Sequence, residues 1–546
     1  MKPKNELIFL PLGGSGEIGM NVNLYGCDGK WVMVDLGMTF ADPNYPGVDL
    51  VLPDLSFIED RAKDLLGIVL THGHEDHIGA IPYLAADLGV PLYATPFTAG
   101  LIRHKLDEEG VSNEVKLHVV PKEGSFDLGP FKFTYVPLAH SIPEGNALLI
   151  ETPYGKVFHT GDWKLDEAPV MSSHSTAAEL TAIGAQGILA LIGDSTNVFN
   201  AEASGSETGV REGLDKVIAG RKGRVLVTTF ASNAARLHTL GEVAKDTGRK
   251  VVVAGRSLDR ILRVSKSVGY LTDFPPTMSF DEAARANPDE LLIICTGAQG
   301  EAQAALSRIA RGDHQIKMGK GDLVVYSSKQ IPGNELSIGV VQNQLAAAGV
   351  EVITDRQAHV HVSGHPGRPE LHDMYGWIKP AISIPVHGER RHMEEHARLA
   401  RSWGVPDAVV PINGSAIRLA PGKPKIISHE VVGRLVVDGD VIIPADGATM
   451  VARRRLLHNG YLSATLVLDK AGKLLSDPAI LLQGVPVEED RADFITDCVK
   501  AAKAAAGKSD PRNADKYAEA VRIAIRRVAR EWTGKKPVTD VQVVRV

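Results

Sequence analysis

Thr71-His72-Gly73-His74-Glu75-Asp76-His77-Ile78-Gly79-Ala80 sets three histidines and a central carboxylate side by side, directly behind the apolar run Leu65-Leu66-Gly67-Ile68-Val69-Leu70. The run reads as a buried strand. On an extended segment side chains alternate, so His72 and His74 point the same way, and a turn into a helix brings Asp76 and His77 round to a neighbouring point. Two adjacent metal sites follow. Imidazole and carboxylate suit zinc or manganese, and a water held at an open position on paired cations loses a proton near neutral pH, giving a hydroxide nucleophile. Four ligands do not satisfy two ions, so strand ends elsewhere must supply the rest.

Three further residues qualify. His140 follows the strand-like Phe131-Lys132-Phe133-Thr134-Tyr135 in a proline-flanked loop, Asp162 ends His159-Thr160-Gly161-Asp162, and His387 follows Ala381-Ile382-Ser383-Ile384-Pro385-Val386. Each stands where a strand runs out. A carboxylate can bridge two cations with its two oxygens, which a neutral imidazole cannot, so Asp162 is the expected bridge.

Composition frames this reading. A chain of 546 residues with 44% hydrophobic and 23% charged residues is expected to form about three to four domains. It has no apolar run of about eighteen residues and no signal-peptide pattern at its start, so a cytoplasmic protein without a membrane is expected. Cys27, Cys295 and Cys498 are too few and too scattered for a disulfide framework. The net charge of −6 gives no global case for a polyanion partner, although residues 451–546 hold 18 Lys or Arg against 12 Asp or Glu. A solvated helix face is the favoured reading of Arg522, Arg526, Arg527 and Arg530 there, with polyanion contact the other.

The periodicity changes along the chain. Short strands and outer helices over residues 1–198 suit a sandwich. From Arg224 onward, apolar runs at 224–230, 250–254, 291–295 and 322–326 alternate with helical patterns, which predicts an inserted parallel sheet over 199–366. Because His387 must return to the first site, residues 367–450 should complete the sandwich, with closing strands reaching Ile442-Ile443-Pro444. Residues 451–546 should form a small α+β domain with a long helix near 513–532. Gly14-Ser15-Gly16-Glu17-Ile18-Gly19 fits a dinucleotide fingerprint, but the following Met20 to Gly26 alternates like a strand, so a glycine-rich turn is expected. Gly220-Arg221-Lys222-Gly223 likewise reads as a connecting turn before a strand.

A second constellation is His359-Val360-His361-Val362-Ser363-Gly364-His365-Pro366-Gly367-Arg368. Small donor-rich residues beside histidines suit a phosphate pocket. A second zinc site and an incidental strand-to-helix turn are the competing readings.

The HxHxDH run, His140, the Gly161-Asp162 pair and His387, with Asp35 in Val34-Asp35-Leu36-Gly37, resemble the motifs of the metallo-β-lactamase superfamily. The resemblance implies an α/β fold: an αββα sandwich with a dinuclear site along one edge. It implies His72, His74 and His140 on one divalent ion, Asp76, His77 and His387 on the other, Asp162 shared and Asp35 in support. Asp194 in Gly193-Asp194-Ser195-Thr196, His365, and His387 in Pro385-Val386-His387-Gly388-Glu389 are similar to the extra motifs of the β-CASP branch, whose domain is inserted before the last ligand. Within that branch the chain resembles the ribonuclease J family over residues 7 to 450. The residues that carry this are Leu10 to Asn21, Thr229 to Asn233 with Arg236, Ser327 to Glu335, and the HxSGH run.

This resemblance implies a bacterial metal-dependent ribonuclease that trims 5′-monophosphate RNA from the 5′ end and also cuts internally. Catalytic roles would fall to His365, Asp194 and Asp76. Ser232, Asn233, His361, Val362, Ser363, Gly364 and His365 would hold substrate phosphates. The implied partners are single-stranded RNA, a second copy in a homodimer or homotetramer, and RNA-decay proteins. Rival readings are another β-CASP nuclease acting at RNA 3′ ends or DNA ends, a thioester or lactam hydrolase, and an RNA-end-binding scaffold without catalysis.

Overall fold

The strand Leu65–Val69 that leads into the histidine cluster is the sixth of an eight-stranded sheet, seen in a computed structural model that describes residues 5–171, 174–331 and 333–546. That sheet runs in the order Lys425–His429, Ser415–Ala420, Leu7–Gly13, Val22–Cys27, Lys30–Val34, Leu65–Val69, Leu92–Ala94 and Leu117–Val119. A second sheet of seven strands faces it, ordered Ser125–Leu128, Phe131–Pro137, Asn146–Thr152, Gly155–His159, Ile188–Asp194, Ile382–Val386 and Asp407–Ala408. One buried core joins the two faces, with Phe9, Tyr25 and Val34 from the first sheet against Phe133, Ile150, Ile192 and Ile384 from the second. Helices Ala177–Gly184, Arg368–Ile378 and Arg390–Ser402 cover the outer face of the second sheet through Leu180, Met374 and Ala400. This is the αββα sandwich.

The insertion follows from one pairing. Strand Ile188–Asp194 lies parallel to Ile382–Val386, with Asp194 opposite Val386, so the chain leaves the sandwich and returns beside the strand it left. Between them stands a six-stranded, wholly parallel sheet ordered Thr277–Met278, Lys250–Ala254, Leu291–Cys295, Val225–Thr228, Leu323–Tyr326 and Glu351–Ile353. Its central strands are buried throughout and almost wholly apolar, as expected where helices cover both faces. The expected turns also appear: Val22–Cys27 is a strand, not the helix a dinucleotide site requires, and residues 220–223 connect a helix to Val225–Thr228.

Phe40–Val51 and Gly433–Val546 form a separate compact unit. Here Val441–Pro444, expected among the closing strands of the sandwich, pairs antiparallel with Arg434–Asp438 instead. The apolar pattern of a two-stranded hairpin does not distinguish the sheet it joins. Its second half packs Tyr461–Leu468, Ala479–Gln483 and Val538–Arg545 against helices Arg491–Ala506 and Ala514–Thr533. On the last helix Tyr517, Val521, Ile525 and Ala529 form the buried stripe at four-residue spacing, which leaves Arg522, Arg527 and Arg530 on the flanks. Arg522 there pairs with Glu519. All three cysteines are buried and free, and no helix is long and apolar enough to cross a membrane.

Candidate metal centre and active site

The local backbone explains why the histidine cluster turns as it does. His74, in extended conformation, caps the short helix Glu75–Ile78, whose first turn carries Glu75 and Asp76. The neighbouring segments stitch onto that turn: Asn21 N donates to Asp76 O, Leu36 N to His77 O and Met38 N to Glu75 O. Room is tight. A Cβ at Gly37 would lie 1.8 Å from Asp76 O, so only glycine permits this approach. Asp35 and His387 both hold positive φ, 64° and 50°, a strained geometry of the kind that functional sites sustain by surrounding contacts.

Two sets of ligand-type atoms converge, each within 4.8 Å: His72, His74, His140 and Asp162; and Asp76, His77, Asp162 and His387. In the first, His74 Nδ1 lies 3.1 Å from both His72 Nε2 and His140 Nε2. Nitrogens around a tetrahedral zinc stand about 3.3 Å apart, so this spacing is that of a coordination sphere. In the second, Asp162 Oδ2 lies 3.2 Å from His77 Nε2 and 3.4 Å from His387 Nε2. The same oxygen is 3.8 Å from His72 Nε2 and 3.9 Å from His140 Nε2. Asp162 therefore faces both sets with one oxygen, where two were expected; Oδ1 is buried without a hydrogen-bond partner.

Every imidazole has its other nitrogen anchored. Asp35 Oδ2 accepts from His77 Nδ1 at 2.7 Å, Gly364 O from His140 Nδ1 at 2.6 Å, and Asn21 Oδ1 from His387 Nδ1 at 3.0 Å. Thr71 Oγ1 accepts from His72 Nδ1 at 3.0 Å and donates to Asp35, and Ser141 Oγ stands 3.5 Å from His74 Nε2. Such partners fix ring orientation and turn the second nitrogen inward, and at His77 that inward Nε2 also lies 3.1 Å from Asn21 Nδ2. Burial, with neighbouring imidazoles, pushes His72 and His74 well below the usual histidine range, and burial takes His140 down to about 4. These three are neutral. Burial also acts to lower His77, but Asp162, Asp76 and Asp35 outweigh it and raise its pKa. Burial pushes Asp162 up, yet His387 and His77 hold it well below the carboxylate range. The set is lone-pair-rich, anionic at its centre and poised for divalent cations.

Across the second sheet's carboxyl end, His365 Nδ1 donates to Asp194 Oδ2 at 2.7 Å and lies 3.9 Å from Asp162 Oδ2. Burial acts to lower its pKa, but Asp194 and then Asp162 lift it to about 9. The strand pairing that brings Asp194 opposite Val386 thus places His365, Asp194 and His387 in one cluster.

The rest of the 359–367 run is clamped by buried charge. Arg236, fully buried, donates to Glu207 through Nε and Nη2 and to the carbonyls of Ser327 and Val360 through Nη1. Glu370 accepts from Gly367 N, Ser204 N and Leu165 N. Gly364 has no room for a side chain, because its Cβ would stand 2.8 Å from His140 Cε1. Ser363 Oγ accepts from His365 N at 3.1 Å, Val362 is buried, and His361 Nδ1 is buried without a partner. Burial, with the positive charges of Arg236, Lys329 and Lys164, holds His361 well below the usual range. Of the histidines in this run only His365 joins a group of ligand-type atoms among the described residues, with Asp194 and His387. Asn233, expected to face phosphate, uses Oδ1 to cap the helix Ala234–Asp246 by accepting from Arg236 N at 2.8 Å. Ser232 precedes it, partly exposed.

Sequence reasoning had assigned no role to Asn21, Thr71, Glu75 or Glu370. Glu75, inside the histidine motif, accepts from Lys105 Nζ at 2.7 Å and 2.6 Å through its two oxygens. Only the spacing of Asn21 behind the glycine-rich turn offered a signal.

Family profiles match this architecture in segments: "Metallo-beta-lactamase superfamily" over residues 18–178, "Ribonuclease J, beta-CASP domain" over 222–345, "Zn-dependent metallo-hydrolase RNA specificity domain" over 349–410 and "Ribonuclease J C-terminal domain" over 449–546. A ribonuclease J of Sinorhizobium meliloti is 41% identical over 555 residues, spanning 100% of this chain and 98% of that protein. The chain belongs to the ribonuclease J family. Ribonuclease J 1 of Streptococcus pyogenes is 37% identical over 502 residues, 91% of this chain and 89% of that one. A crystal structure of a protein of unknown function from Enterococcus faecalis V583 shares the fold at 18% identity and a TM-score of 0.53, covering 76% of this chain and 100% of that chain. Family membership and the ligand clusters make this a metal-dependent bacterial ribonuclease that binds divalent metal and RNA.

Proposed function

We propose that the chain hydrolyses RNA stepwise from a 5′-monophosphorylated end, and cuts internally where the strand is accessible, using two divalent ions. His72, His74 and His140 would hold one ion, Asp76, His77 and His387 the other, and Asp162 would serve both. The observation that carries this reading is Asp162 Oδ2, a single buried carboxylate oxygen within 3.9 Å of four inward-facing imidazole nitrogens. Zinc is the expected metal, with manganese the alternative. When bound, such a pair supplies an activated water and neutralises charge growing on the phosphoryl group.

The chain's own residues do the rest. His365, protonated at neutral pH through Asp194, delivers a proton from Nε2 to the departing 3′ oxygen. Asp194 keeps that ring oriented, and Asp76 completes the second ligand set. His361 Nδ1, Ser363 Oγ and the backbone N–H groups of Val362 and Gly364 would contact substrate phosphate, with Ser232 and the amide nitrogen of Asn233 as further donors. His361 has the buried, cation-flanked nitrogen that an anion would engage. A triphosphorylated end, with more charge and bulk, is expected to fit this clamped loop poorly. The cytoplasm is the proposed compartment, with a homodimer or homotetramer as the assembly and RNA-decay proteins as partners.

The test offers RNA labelled at a 5′ monophosphate, a 5′ triphosphate or a 5′ hydroxyl, and single-stranded DNA with the same ends. Release of labelled mononucleotide from the monophosphate RNA, abolished by a chelator and restored by zinc or manganese, is the expected result. Internal fragments alone, or preferential cleavage of DNA, would replace it with one of the other β-CASP activities.

A further inference from the structure

We propose that a cavity at the carboxyl ends of the inserted parallel strands is a nucleobase subsite. This deepens the RNA reading above and rests on it. The cavity has a volume of about 180 Å³ and is lined by Ala298, Tyr326, Ile338, Ser328, Gln330, Gln342 and the 354–357 turn. In open parallel sheets ligands bind in crevices outside the carboxyl ends of the strands, because the connecting loops diverge there. Tyr326 ends strand Leu323–Tyr326, and residues 354–357 follow strand Glu351–Ile353.

The walls are built, and their polar groups are left free. Gln299 holds one wall by donating to Lys329 O and accepting from Ile331 N, both at 2.9 Å. Gln357 Oε1 holds the rim by accepting from Thr354 N at 2.9 Å. By contrast, the side chains of Tyr326, Ser328, Gln330 and Gln342 make no hydrogen bond among the described residues. Tyr326 is 3% exposed and its hydroxyl is buried and unpartnered, an arrangement that costs about 1–3 kcal/mol unless something accepts or donates there.

The lining selects the ligand. Asp355 and Arg356 balance in charge at the rim, which disfavours a bare anion, and a lone carboxylate does not make a cation site. What remains is a neutral planar group with alternating donors and acceptors, which glutamine amides and hydroxyls match and which the Ala298 and Ile338 side chains can flank. The volume falls below the roughly 300–1,000 Å³ of sites that enclose a whole drug-sized molecule. A base fits while its sugar and phosphate stay outside. The cavity also borders the phosphate-handling loop: Ser327 Oγ donates to Val360 O at 2.6 Å, and the next residue, Ser328, lines the cavity.

The base comes either from the RNA chain or from a free mononucleotide. Binding is measured on the full chain with chelator present, so that hydrolysis is off and the result stands apart from the metal mechanism. Nucleosides and nucleoside 5′-monophosphates are titrated by calorimetry, alongside an oligoribonucleotide in which one abasic position is walked from end to end. Gln342→Leu and Tyr326→Phe are compared with the native chain, with melting curves to establish folding. About tenfold weaker mononucleotide binding in both variants, with no abasic position mattering, assigns a free nucleotide. One abasic position that weakens binding about tenfold in the native chain and not in Gln342→Leu assigns the RNA chain. No saturable mononucleotide binding at millimolar concentration, together with abasic effects identical in native chain and variants, overturns the proposal.

Discussion

Around the candidate metal centre each imidazole commits one nitrogen to a protein partner and turns the other toward the shared Asp162 or its neighbouring rings; around residues 359–367 the charged groups pair with one another. The first arrangement is incomplete by itself. Five inward nitrogens and the anionic Asp162 lie close together in a buried space, where protons on His77 and His387 balance the charge that divalent cations would otherwise take up. The second is complete by itself, since Arg236–Glu207 and the contacts of Glu370 satisfy the buried charges without a ligand. Two adjoining regions thus use charge differently: one gathers ligand-type atoms around an anion, the other holds in shape the loop proposed to contact phosphate.

The largest expected break of this contrast is Asp162→Asn. The amide is nearly the same shape but cannot balance two cations, so RNA hydrolysis should fall by about 10³-fold or more. Metal content by mass spectrometry should fall with it, and the melting temperature without metal at neutral pH should fall too, because His77 and His387 lose the buried anion they pair with. Retained metal stoichiometry with lost activity would place Asp162 outside the ligand set.

Arg236→Met tests the other side. Removing one partner of a buried ion pair leaves Glu207 uncompensated, and a loss of about 3–5 kcal/mol is expected in chemical denaturation. The double variant Arg236→Met with Glu207→Leu should recover much of that stability but not RNA affinity, because Arg236 also holds the carbonyls of Ser327 and Val360. Stability and affinity that return together would make the pair a stability element alone.

These two regions were also legible in the sequence to different degrees. Candidate ligands cluster or stand at strand ends, and their chemistry restricts them to His and Asp, so His72, His74, Asp76, His77, His140, Asp162 and His387, which the fold brings together, could be picked out before any fold was known. The strands that carry them read from apolar runs such as Ile382 to Val386. The anchors did not read, because Asn21, Thr71 and Glu370 are ordinary residue types whose partners lie far away in sequence, as Glu370 does from Leu165. The capping role of Asn233 did not read for a related reason: the same amide suits a helix cap through Oδ1 and a phosphate through its nitrogen, and only the following helix shows the first. The hairpin Arg434–Pro444 was assigned to the wrong unit because strand pattern carries no address.

Asp194→Asn sharpens the comparison at its seam, where the loop histidine meets the metal centre. The carboxylate raises His365 to about 9, so the imidazolium is present below that value and is lost as pH rises through it. Bound cations pull the ring's pKa down in native and variant chains alike, and so leave the direction of the difference unchanged. Asparagine still accepts the Nδ1 proton but carries no charge, so the alkaline limb of kcat/KM should move to lower pH, with a loss of about 10²-fold at neutral pH. An unmoved limb would assign the proton to another group.

The smallest effect belongs to Asn21→Ala. Asn21 Oδ1 is the partner of His387 Nδ1, and its amide nitrogen lies 3.2 Å from Asp76 O, so one buried side chain orients a ligand from each end of the sequence. Alanine leaves both ligands in place but frees the His387 ring to adopt either tautomer. Losses of about 10–100-fold in metal affinity are typical when such a partner is removed. Competition with a zinc chelator should show that loss for one ion of the pair, because His72, His74 and His140 keep anchors of their own at Thr71, Ser141 and Gly364. Equal weakening of both ions would mean that Asp162 transmits the disturbance across the bridge, so the two sites would behave as one cooperative unit.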